Sequence, residues 1–412
     1  MKFFKLMAIA LLAMLGFVAC DRKIVHINDD HGADLAGTWT CLTENYAEVL
    51  IIKADGSAVS YGVEDGEYWE NVKGTVTVSE NNIVMNFEDD DNLTGHFDII
   101  PGMAFSLFED SGERFIYQYC ENDLSDEILG MWVCNDGPSD KETDMVIQTF
   151  KEDGTVTKSG WSVASNEFIV NETINYKVVG DLLFHQRPSD MVSEGVASHF
   201  ASKLTYMPNA NQLGDMLTNT AIKVVNGKVL ELSMSMLRVK QSLNLTGNKY
   251  AYKSAYVTNA KGNDEDFTIL GKTFNMANIA AADFDVVFGA DLYMVELKGN
   301  SITHKFRPDG QDVEVVTPIT VEGNKVTLDY SAVNPACRKV EMYMFQGQDN
   351  TQLHMYMHTN SFVNYFANLG IPGLIAEGKL DPSDAAAVEK VFADMESRIE
   401  SINVSLIYKA RK

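Results

Sequence analysis

Cysteine and basic residues are scarce in this chain. Its 412 residues include five cysteines, none spaced as Cys-x-x-Cys, which excludes a zinc ribbon and a thioredoxin-type redox site. Lysine and arginine number 33 against 58 acidic residues, for a formal net charge of −25. This charge excludes nucleic acid as a natural partner, because phosphate binding needs a basic stripe.

Long apolar runs are also missing beyond the first twenty residues. A membrane-spanning helix needs about 20 consecutive apolar residues, so we expect the main body to be soluble.

The motifs of common enzyme classes are absent. The sequence contains no Gly-x-Ser-x-Gly elbow, no His-Glu-x-x-His and no phosphate-binding glycine loop. Carboxylates are too abundant for any pair to stand out as a general acid and base. We therefore expect a protein that is not an enzyme and needs no cofactor or metal.

The N-terminus has the features of an export signal. Lys2 and Lys5 precede a thirteen-residue uncharged run, which ends before Ala19-Cys20. The string Gly16-Phe-Val-Ala-Cys20 resembles the lipobox of bacterial lipoproteins, with phenylalanine where leucine is usual. The resemblance implies a signal peptide over 1–19, lipidation of Cys20 and a polar tether over 20–34. Ordinary secretion, with Cys20 part of the signal, is the alternative.

This interpretation predicts a cell-envelope protein, held at the outer membrane by its lipid on an undetermined face. Loss of Lys2 and Lys5 with the signal takes the net charge from −25 to −27. Such a charge favours a soluble body held off an anionic membrane surface.

Besides the lipidated Cys20, the mature chain has four cysteines: Cys41, Cys120, Cys134 and Cys337. An exported protein can form disulfides, and four cysteines allow three pairings. Cys41 with Cys120 is the first pairing to test, and four free thiols are an equal alternative.

The chain contains an internal repeat. Leu35-Ala-Gly-Thr-Trp-Thr-Cys41 matches Ile128-Leu-Gly-Met-Trp-Val-Cys134, 93 residues later. Each start is followed by an alternating run and an Asp-Gly pair, which is typical of a β-hairpin. The repeat predicts two units of short strands, over 35–121 and 126–207.

A Gly-x-Trp on the first strand, hairpins in series and a cation on the last strand resemble lipocalin-type barrels. The resemblance implies that Trp39 pairs with Arg114 and Trp132 with Lys203, each cation covering a tryptophan that closes one barrel end. It also implies a small apolar or amphipathic ligand inside the barrels. The alternative is that both tryptophans are core residues of a β-sandwich.

Residues 209–412 are predicted to form a larger β domain. Residues 221–237 read as a hairpin around Asn226-Gly227, and Ile269-Leu-Gly-Lys-Thr-Phe274 faintly repeats the start of the second unit. Asp381-Pro-Ser-Asp384 offers an N-terminal cap and an early proline. The helical spacing of the apolar residues that follow predicts a helical insertion over about 361–400 before the last strand. The fold class is thus mainly β, with tandem small antiparallel barrels or meanders followed by this larger domain.

Three aromatic residues in polar segments are candidates for ligand binding: Tyr68, Trp69 and Trp161. They could stack on sugar faces beside carboxylates, although half-buried strand residues are the more frequent outcome. An acidic run at 88–92 lacks the spaced calcium-loop pattern and is better explained as a solvated loop. His354 and His358, on a predicted strand, would lie about 13 Å apart and are too far apart to share a metal.

Two functions follow. The first is a lipid-anchored protein that holds a small apolar ligand inside open barrels. The second is a surface scaffold with filled barrels, which binds glycan or protein through exposed residues. The first requires an apolar cavity of a few hundred Å³, and large residues such as Met85, Phe87, Phe105 and Phe150 would fill it.

Overall fold

The computed structural model describes residues 34–88, 92–134, 145–162, 165, 167–187, 192, 197–210, 214–289, 293–306, 312–332 and 334–411. The predicted signal peptide, Cys20, most of the tether and Asp89–Asp91 lie outside these ranges. Three closed antiparallel barrels of eight strands each make up most of the fold. The predicted fold class is therefore confirmed.

The first barrel contains eight strands in sequence order. They are β1 (Gly37–Leu42), β2 (Tyr46–Ile52), β3 (Ser57–Glu64), β4 (Glu67–Ser79), β5 (Asn82–Phe87), β6 (Leu93–Ile100), β7 (Ala104–Glu109) and β8 (Arg114–Tyr119). Strand β1 pairs with both β2 and β8, which closes the sheet. A hairpin forms at Asp55-Gly56 as predicted, but only Gly56 has a positive φ (81°). Since Lys53 and Ser57 close the loop, it is a three-residue turn and not a type I′ turn.

The second barrel extends further along the chain than the sequence predicts. Its strands are β9 (Gly130–Cys134), β10 (Val146–Phe150), β11 (Thr155–Ser162), β12 (Glu167–Val179), β13 (Leu182–Gln186), β14 (His199–Met207), β15 (Met216–Val225) and β16 (Lys228–Val239). Strand β16 closes the barrel on β9. The predicted boundary after residue 207 is wrong, because six strands up to β14 leave β9 without a closing partner.

The third barrel begins with a long strand and encloses the largest core. Its strands are β17 (Thr246–Gly262), β20 (Met294–Lys298), β21 (Ser301–Phe306), β22 (Val313–Glu322), β23 (Lys325–Asp329), β24 (Lys339–Gln346), β25 (Gln352–Met357) and β26 (Ile399–Ala410). Between β17 and β20 lie the small hairpin β18 (Asp266–Ile269) and β19 (Lys272–Asn275), the short helix α1 (Ala281–Phe284) and a π-helical turn (Asp285–Gly289). A 3-10 turn (Tyr330–Ala332) follows β23. The predicted echo at 269–274 is therefore this hairpin and not the start of a barrel.

Two helices fill the insertion predicted before the last strand. Helix α2 spans Thr359–Ala376 and helix α3 spans Ala385–Glu396. The Asp384 side chain caps α3, accepting hydrogen bonds from the amides of Ala386 and Ala387. Buried side chains of both helices join the core of the third barrel.

The three barrels lie side by side and point in the same direction. We call the end at which β1, β9 and β17 begin the plug end, and the opposite end the loop end. At the plug end the Leu124 amide bonds the Gly180 carbonyl (2.9 Å) and the Lys240 amide bonds the Gln346 carbonyl (2.7 Å). At the loop end Ser198 donates to the Gly66 carbonyl (2.7 Å). Both helices of the insertion cover the loop end of the third barrel.

Candidate functional site

The barrel interiors are filled by large side chains. Trp39 and Phe105 are at most 1 % exposed in the first barrel, and Trp132 and Phe150 at most 2 % in the second. Interiors packed in this way resemble crystals of organic molecules and leave little room for a ligand. Met85, Phe105 and Phe150 fill the barrels as the sequence suggested.

Each barrel has a buried aromatic residue near its plug end, two of which the repeat identified. The indole N–H groups of Trp39 and Trp132 donate to carbonyls four residues earlier, those of Leu35 (2.8 Å) and Ile128 (2.6 Å). The third is Tyr250, which is fully buried. It follows Leu245-Thr-Gly247, the same start with one extra residue, where the register of β17 shifts between Thr246 and Asn248.

The predicted cation pairings are wrong. Arg114 lies over Phe108, 4.6 Å from the ring centroid, and Lys203 pairs with Asp181 (3.2 Å). The cation over Trp132 is Arg238, 4.8 Å from its ring. The closing strand of a barrel supplies this group, and the closing strand here is β16 and not β14.

Residues that face Trp39 and Trp132 across the closing seam differ in type. Arg238 is paired with Trp132, and Tyr119 takes the corresponding place beside Trp39. Tyr119 meets Trp39 edge to face, with ring centroids 5.2 Å apart. An aromatic ring thus covers Trp39 in the first barrel, and a guanidinium group covers Trp132 in the second.

A buried carboxylate lies inside the first barrel near its loop end. Glu48 is 7 % exposed and accepts hydrogen bonds from Tyr46 (2.7 Å), Ser60 (2.6 Å) and Tyr117. The pKa values of Tyr46 and Tyr117 are raised well above the usual value for tyrosine. Burial is the largest cause, and the charge of Glu48 is the second. Burial and Glu48 also raise the pKa of the neighbouring Cys41 thiol to about 12, which keeps it protonated.

Trp69 belongs to this interior cluster. A bulge in β4, with Asn71 at φ 57°, turns Trp69 inward against Gly62. A Cβ at Gly62 would lie 2.1 Å from the indole, so only glycine fits there. The Trp69 N–H donates to Ser60 (2.8 Å), which in turn donates to Glu48.

Tyr68, next along β4, faces outward into the contact between the first two barrels. Its ring stacks on His199 (5.1 Å between centroids) and lies 5.7 Å from Phe184. The surrounding apolar contact includes Val49 and Leu182, one from each barrel.

Trp161 lies in the contact between the second and third barrels. It stacks on His358 (4.6 Å) and meets Phe168 and Tyr343 edge to face (5.4 and 5.9 Å). The structure therefore places Tyr68, Trp69 and Trp161 in three separate environments and does not form one site from them.

An open cleft of about 480 Å³ separates the outer surfaces of the second and third barrels. The second barrel lines it with Met131, Ile147, Thr149, Thr157, Ser159, Glu167, Phe168 and Val170, and the third with Glu322, Asn324, Lys325, Tyr343 and Phe345. Apolar, aromatic, hydroxyl and carboxylate groups are thus mixed along its walls.

Lys325 bridges the two walls of the cleft. Its Nζ lies 3.2 Å from Glu167 of the second barrel and 3.4 Å from Glu341 of its own. The bond to Glu167 is the main reason why the pKa of Lys325 is raised. The cation is thus neutralised, and the remaining polar groups suit a ligand that offers hydroxyl groups and a flat apolar face.

Cys41 and Cys120, the pair chosen as the first disulfide to test, are both buried thiols that form no disulfide. The Cys120 amide bonds the carbonyl of Thr38, three residues before Cys41. Three strand residues span about 10 Å, which is too far for a disulfide. Cys120 Sγ instead donates to the Asn122 carbonyl (3.2 Å).

Among the described residues, no group of three His, Cys, Asp or Glu side chains is arranged to hold a metal. His354 and His358 are buried, and burial lowers the pKa of each to about 4. Asp89–Asp91 of the acidic run lie outside the described residues. The same part of the chain contains no helix that is long and apolar enough to span a membrane.

Sequence reasoning missed Glu48, Arg238 and the cleft. Glu48 could have been found from the pattern of its strand. Tyr46, Glu48, Leu50 and Ile52 share one face, and Glu48 is the one charged residue in a strand that is otherwise apolar or aromatic. Arg238 required knowledge of which strand closes the barrel. The cleft combines residues more than 200 positions apart along the chain, and no local pattern indicates it.

No protein-family model matches the chain, and no curated protein matches it. One similar solved structure is a double mutant of the vaccine antigen transferrin binding protein B from Haemophilus parasuis. The identity is 10 %, over 89 % of this chain and 66 % of that one, with a TM-score of 0.25. Another is a porin-like protein from Bacteroides uniformis, at 9 % identity over 48 % of this chain and 92 % of that one, with a TM-score of 0.12. The chain thus spans just under two thirds of the first structure, and neither TM-score is high enough to bear on function.

Proposed function

We propose that this chain is a non-catalytic, lipid-anchored protein of the cell envelope that binds a glycan in the cleft between its second and third barrels. The observation that carries the proposal is the packing of the barrel interiors, together with an open, mixed polar and aromatic cleft outside them. A small apolar ligand inside the barrels, the other function that the sequence predicts, would need a cavity of several hundred Å³ there.

The anchor is proposed from the sequence of the first twenty residues. Diacylation of Cys20 would attach the chain stably, since two acyl chains hold a protein at a bilayer where one does not. Mass spectrometry of the mature N-terminus tests it. A diacylglyceryl mass on Cys20 supports the anchor, and an unmodified N-terminus near that position contradicts it.

The chemistry of the cleft favours a polyhydroxylated ligand. Thr149, Thr157 and Ser159 present hydroxyl groups on one wall, and Glu167 and Glu322 supply hydrogen-bond acceptors. Phe168 and Tyr343 provide apolar surface, with Trp161 packed behind both. A cleft of about 480 Å³ falls within the range of about 300–1,000 Å³ typical of small-molecule sites.

The test is glycan binding by the double variant Thr157→Val and Ser159→Ala. These changes remove two cleft hydroxyls while leaving side chains that are small enough for the strand. The control is Thr75→Val with Thr77→Val, two exposed threonines on β4 of the first barrel. Because each lost hydrogen bond is worth about 0.5–1.5 kcal/mol, we expect about tenfold weaker binding for the cleft variant alone.

Native mass spectrometry of protein purified gently from its host separates the two functions. Release of lipid-like molecules on denaturation would contradict the proposal and favour a ligand inside the barrels. A glycan hit on an array that survives both cleft substitutions would also contradict it.

A further inference from the structure

The hairpin formed by β15 and β16 is longer than the barrel it closes. The two strands pair with each other from Met216–Leu237 to Val225–Lys228. Strand β14 pairs with β15 only as far as Thr220, and β9 pairs with β16 only from Leu237 onward. We call residues 221–225 and 228–236 the ribbon. Within the described part of the chain, residues 221–225 and 228–232 pair only with each other, and this part of the hairpin extends beyond the loop end of the barrel.

The ribbon exposes large apolar side chains. Val225 is 39 % exposed, Val229 41 %, Leu230 42 % and Leu232 48 %. Directly paired residues of antiparallel strands share a face, so Leu230 lies beside Lys223 and Val225 beside Lys228. This face is the continuation of the one that carries Leu217 and Met236 into the barrel core.

The opposite face of the ribbon is more polar near the barrel. Thr218 hydrogen-bonds Ser235 (3.0 Å), and Thr220 hydrogen-bonds Ser233 (2.9 Å). The ribbon therefore has one mainly apolar face with two lysines and one mixed face.

The strand edges distinguish a protein partner from a lipid surface. Beyond Thr220 and before Leu237, the outward-pointing backbone N–H and C=O groups have no neighbouring strand among the described residues. Open strand edges are not tolerated in the hydrocarbon of a bilayer, where no group satisfies them. An added strand satisfies them and also covers the apolar side chains, as in recognition by β-augmentation.

The charge of the ribbon indicates which strand would fit. Lys223 and Lys228 lie on one face, in a chain with a net charge of −25. Pairing of two copies through this edge would bring together two molecules of that charge, which repel each other. A strand with carboxylates opposite the lysines is attracted instead.

We propose that the free edge of the ribbon binds, by strand addition, an extended segment of another polypeptide that carries apolar and acidic side chains on the same face, since Leu230, Leu232, Lys223 and Lys228 share one face of the ribbon. The bound segment lies on the ribbon, its apolar residues against Leu230 and Leu232 and its carboxylates near Lys223 and Lys228. This interaction is independent of the glycan cleft, which lies on the outer surface of β9–β12.

The test uses the full-length protein and three synthetic peptides with threonine at every second position, so that the other residues share one face. One carries valine and glutamate at those other positions, one carries valine and lysine there, and the third is the acidic peptide N-methylated at alternate amides. We expect binding of the first alone, because the second is repelled and the third cannot form the strand hydrogen bonds. Fluorescence anisotropy measures the affinities, and amide hydrogen exchange locates protection on β15 or β16.

Two ribbon variants and one control sharpen the result. Val225→Thr with Leu230→Thr keeps β-forming residues at exposed positions, and we expect about tenfold or greater loss of affinity for the acidic peptide. Lys223→Glu with Lys228→Glu should reverse the preference towards the basic peptide. The control, Ile100→Thr with Met103→Thr, changes two apolar residues that are each 49 % exposed on the first barrel, and should have no effect.

Equal binding of the N-methylated peptide would overturn strand addition, and an unchanged preference in the lysine variant would overturn the charge argument. Vesicles of neutral and anionic phospholipid form the last arm. Vesicle binding that is lost in the Val225 and Leu230 variant, without peptide binding, would show that the ribbon contacts lipid and that the proposal is wrong.

Discussion

At the scale of single residues, Trp39 and Trp132 show that matching sequence motifs can be packed against different side chains. Trp39 and Trp132 follow matching motifs and make the same hydrogen bond to a carbonyl four residues earlier. The group that covers each ring differs, Tyr119 in one barrel and Arg238 in the other. The motif therefore determines the buried tryptophan and its hydrogen bond, while the closing strand determines which side chain packs over the ring.

Replacement of Arg238 by methionine should destabilise the second barrel. The change removes the cation over Trp132, the ion pair to Asp215 (3.6 Å) and a hydrogen bond to the Glu127 carbonyl. Cation–π contacts and charged hydrogen bonds together suggest a loss of about 1–3 kcal/mol in unfolding free energy, measured by urea denaturation.

The matched control for Arg238→Met is Lys203→Met, at the position that the lipocalin resemblance assigns to the Trp132 cation. The Trp132 indole N–H resonance should shift in the Arg238 variant and stay in place in the Lys203 variant. The opposite pattern would restore the original pairing.

Buried histidine should make the protein sensitive to acid. His304 is fully buried in the third barrel, beside the hydroxyls of Tyr293 (3.0 Å) and Tyr365 (3.2 Å). Burial lowers its pKa from 6.5 to about 3. The stability that this histidine contributes is thus complete above pH 6.5 and is lost as the pH falls towards 3, because only the unfolded chain takes up the proton.

We expect His304→Gln to flatten the pH dependence of stability. Between about pH 6 and 4, the slope of unfolding free energy against pH should decrease by about 1.4 kcal/mol per pH unit relative to the unsubstituted protein. Urea denaturation at several pH values measures it. An identical slope in both proteins would mean that His304 is not a buried neutral group.

At the scale of strands and helices, the sequence predicts local turns and caps better than it predicts which distant strands pair with each other. The Asn226-Gly227 turn was predicted, and both residues have positive φ (52° and 73°), as a type I′ turn requires. The predicted domain of this hairpin is nevertheless wrong, because it closes the second barrel. Turn chemistry determines that the two strands pair with each other but not which sheet they complete.

The start of the third barrel illustrates the same limit. Leu245-Thr-Gly247-Asn-Lys-Tyr250 and Ile269-Leu-Gly-Lys-Thr-Phe274 show the same displaced motif. Only the first pairs with a closing strand, β26. Barrel closure is a long-range interaction, so the sequence pattern by itself does not distinguish the two.

The cap of helix α3 is a local feature that the sequence did predict. Asp384 accepts hydrogen bonds from two amides of the first turn, each at 3.0 Å. Asp384→Ala should therefore lower the unfolding free energy of the third barrel by about 1 kcal/mol.

Asp381→Ala is the control for this cap. Asp381 bonds the amide (2.8 Å) and hydroxyl (2.7 Å) of Ser383 and lies outside the helix. Its replacement should cost clearly less, by thermal or urea denaturation. Equal losses for the two variants would show that the effect comes from the loop and not from the helix cap.

At the scale of the whole molecule, contacts between barrels explain why the candidate site differed from prediction. Tyr68 and Trp161 stood out as aromatic residues in polar segments. Both are outward-facing strand residues, but each meets another barrel: Tyr68 contacts His199 and Trp161 contacts His358. The sequence indicates that such a side chain points away from the core of its own barrel. It does not indicate whether the side chain contacts solvent or a neighbouring barrel.

The common direction of the barrels has a consequence for how the proposed anchor would present them. The described chain begins at Asp34, next to the plug end, so Cys20 lies within fifteen residues of that end. Even fully extended, such a tether spans at most about 50 Å. The plug ends should on average face the membrane, and the loop ends, with the ribbon and helices α2 and α3, should face away.

Energy transfer in vesicles tests this orientation. A fluorescent unnatural amino acid replaces either Asp55, in a plug-end turn, or Asn226, in the loop-end turn of the ribbon, and the lipidated protein is bound to vesicles with an acceptor on their headgroups. We expect stronger transfer from position 55, since it lies closer to the bilayer on average. Cys20→Ala protein should show transfer from neither position. Equal transfer from both labels in the lipidated protein would mean that the tether lets the barrels tumble, and stronger transfer from position 226 would mean that the ribbon lies at the membrane.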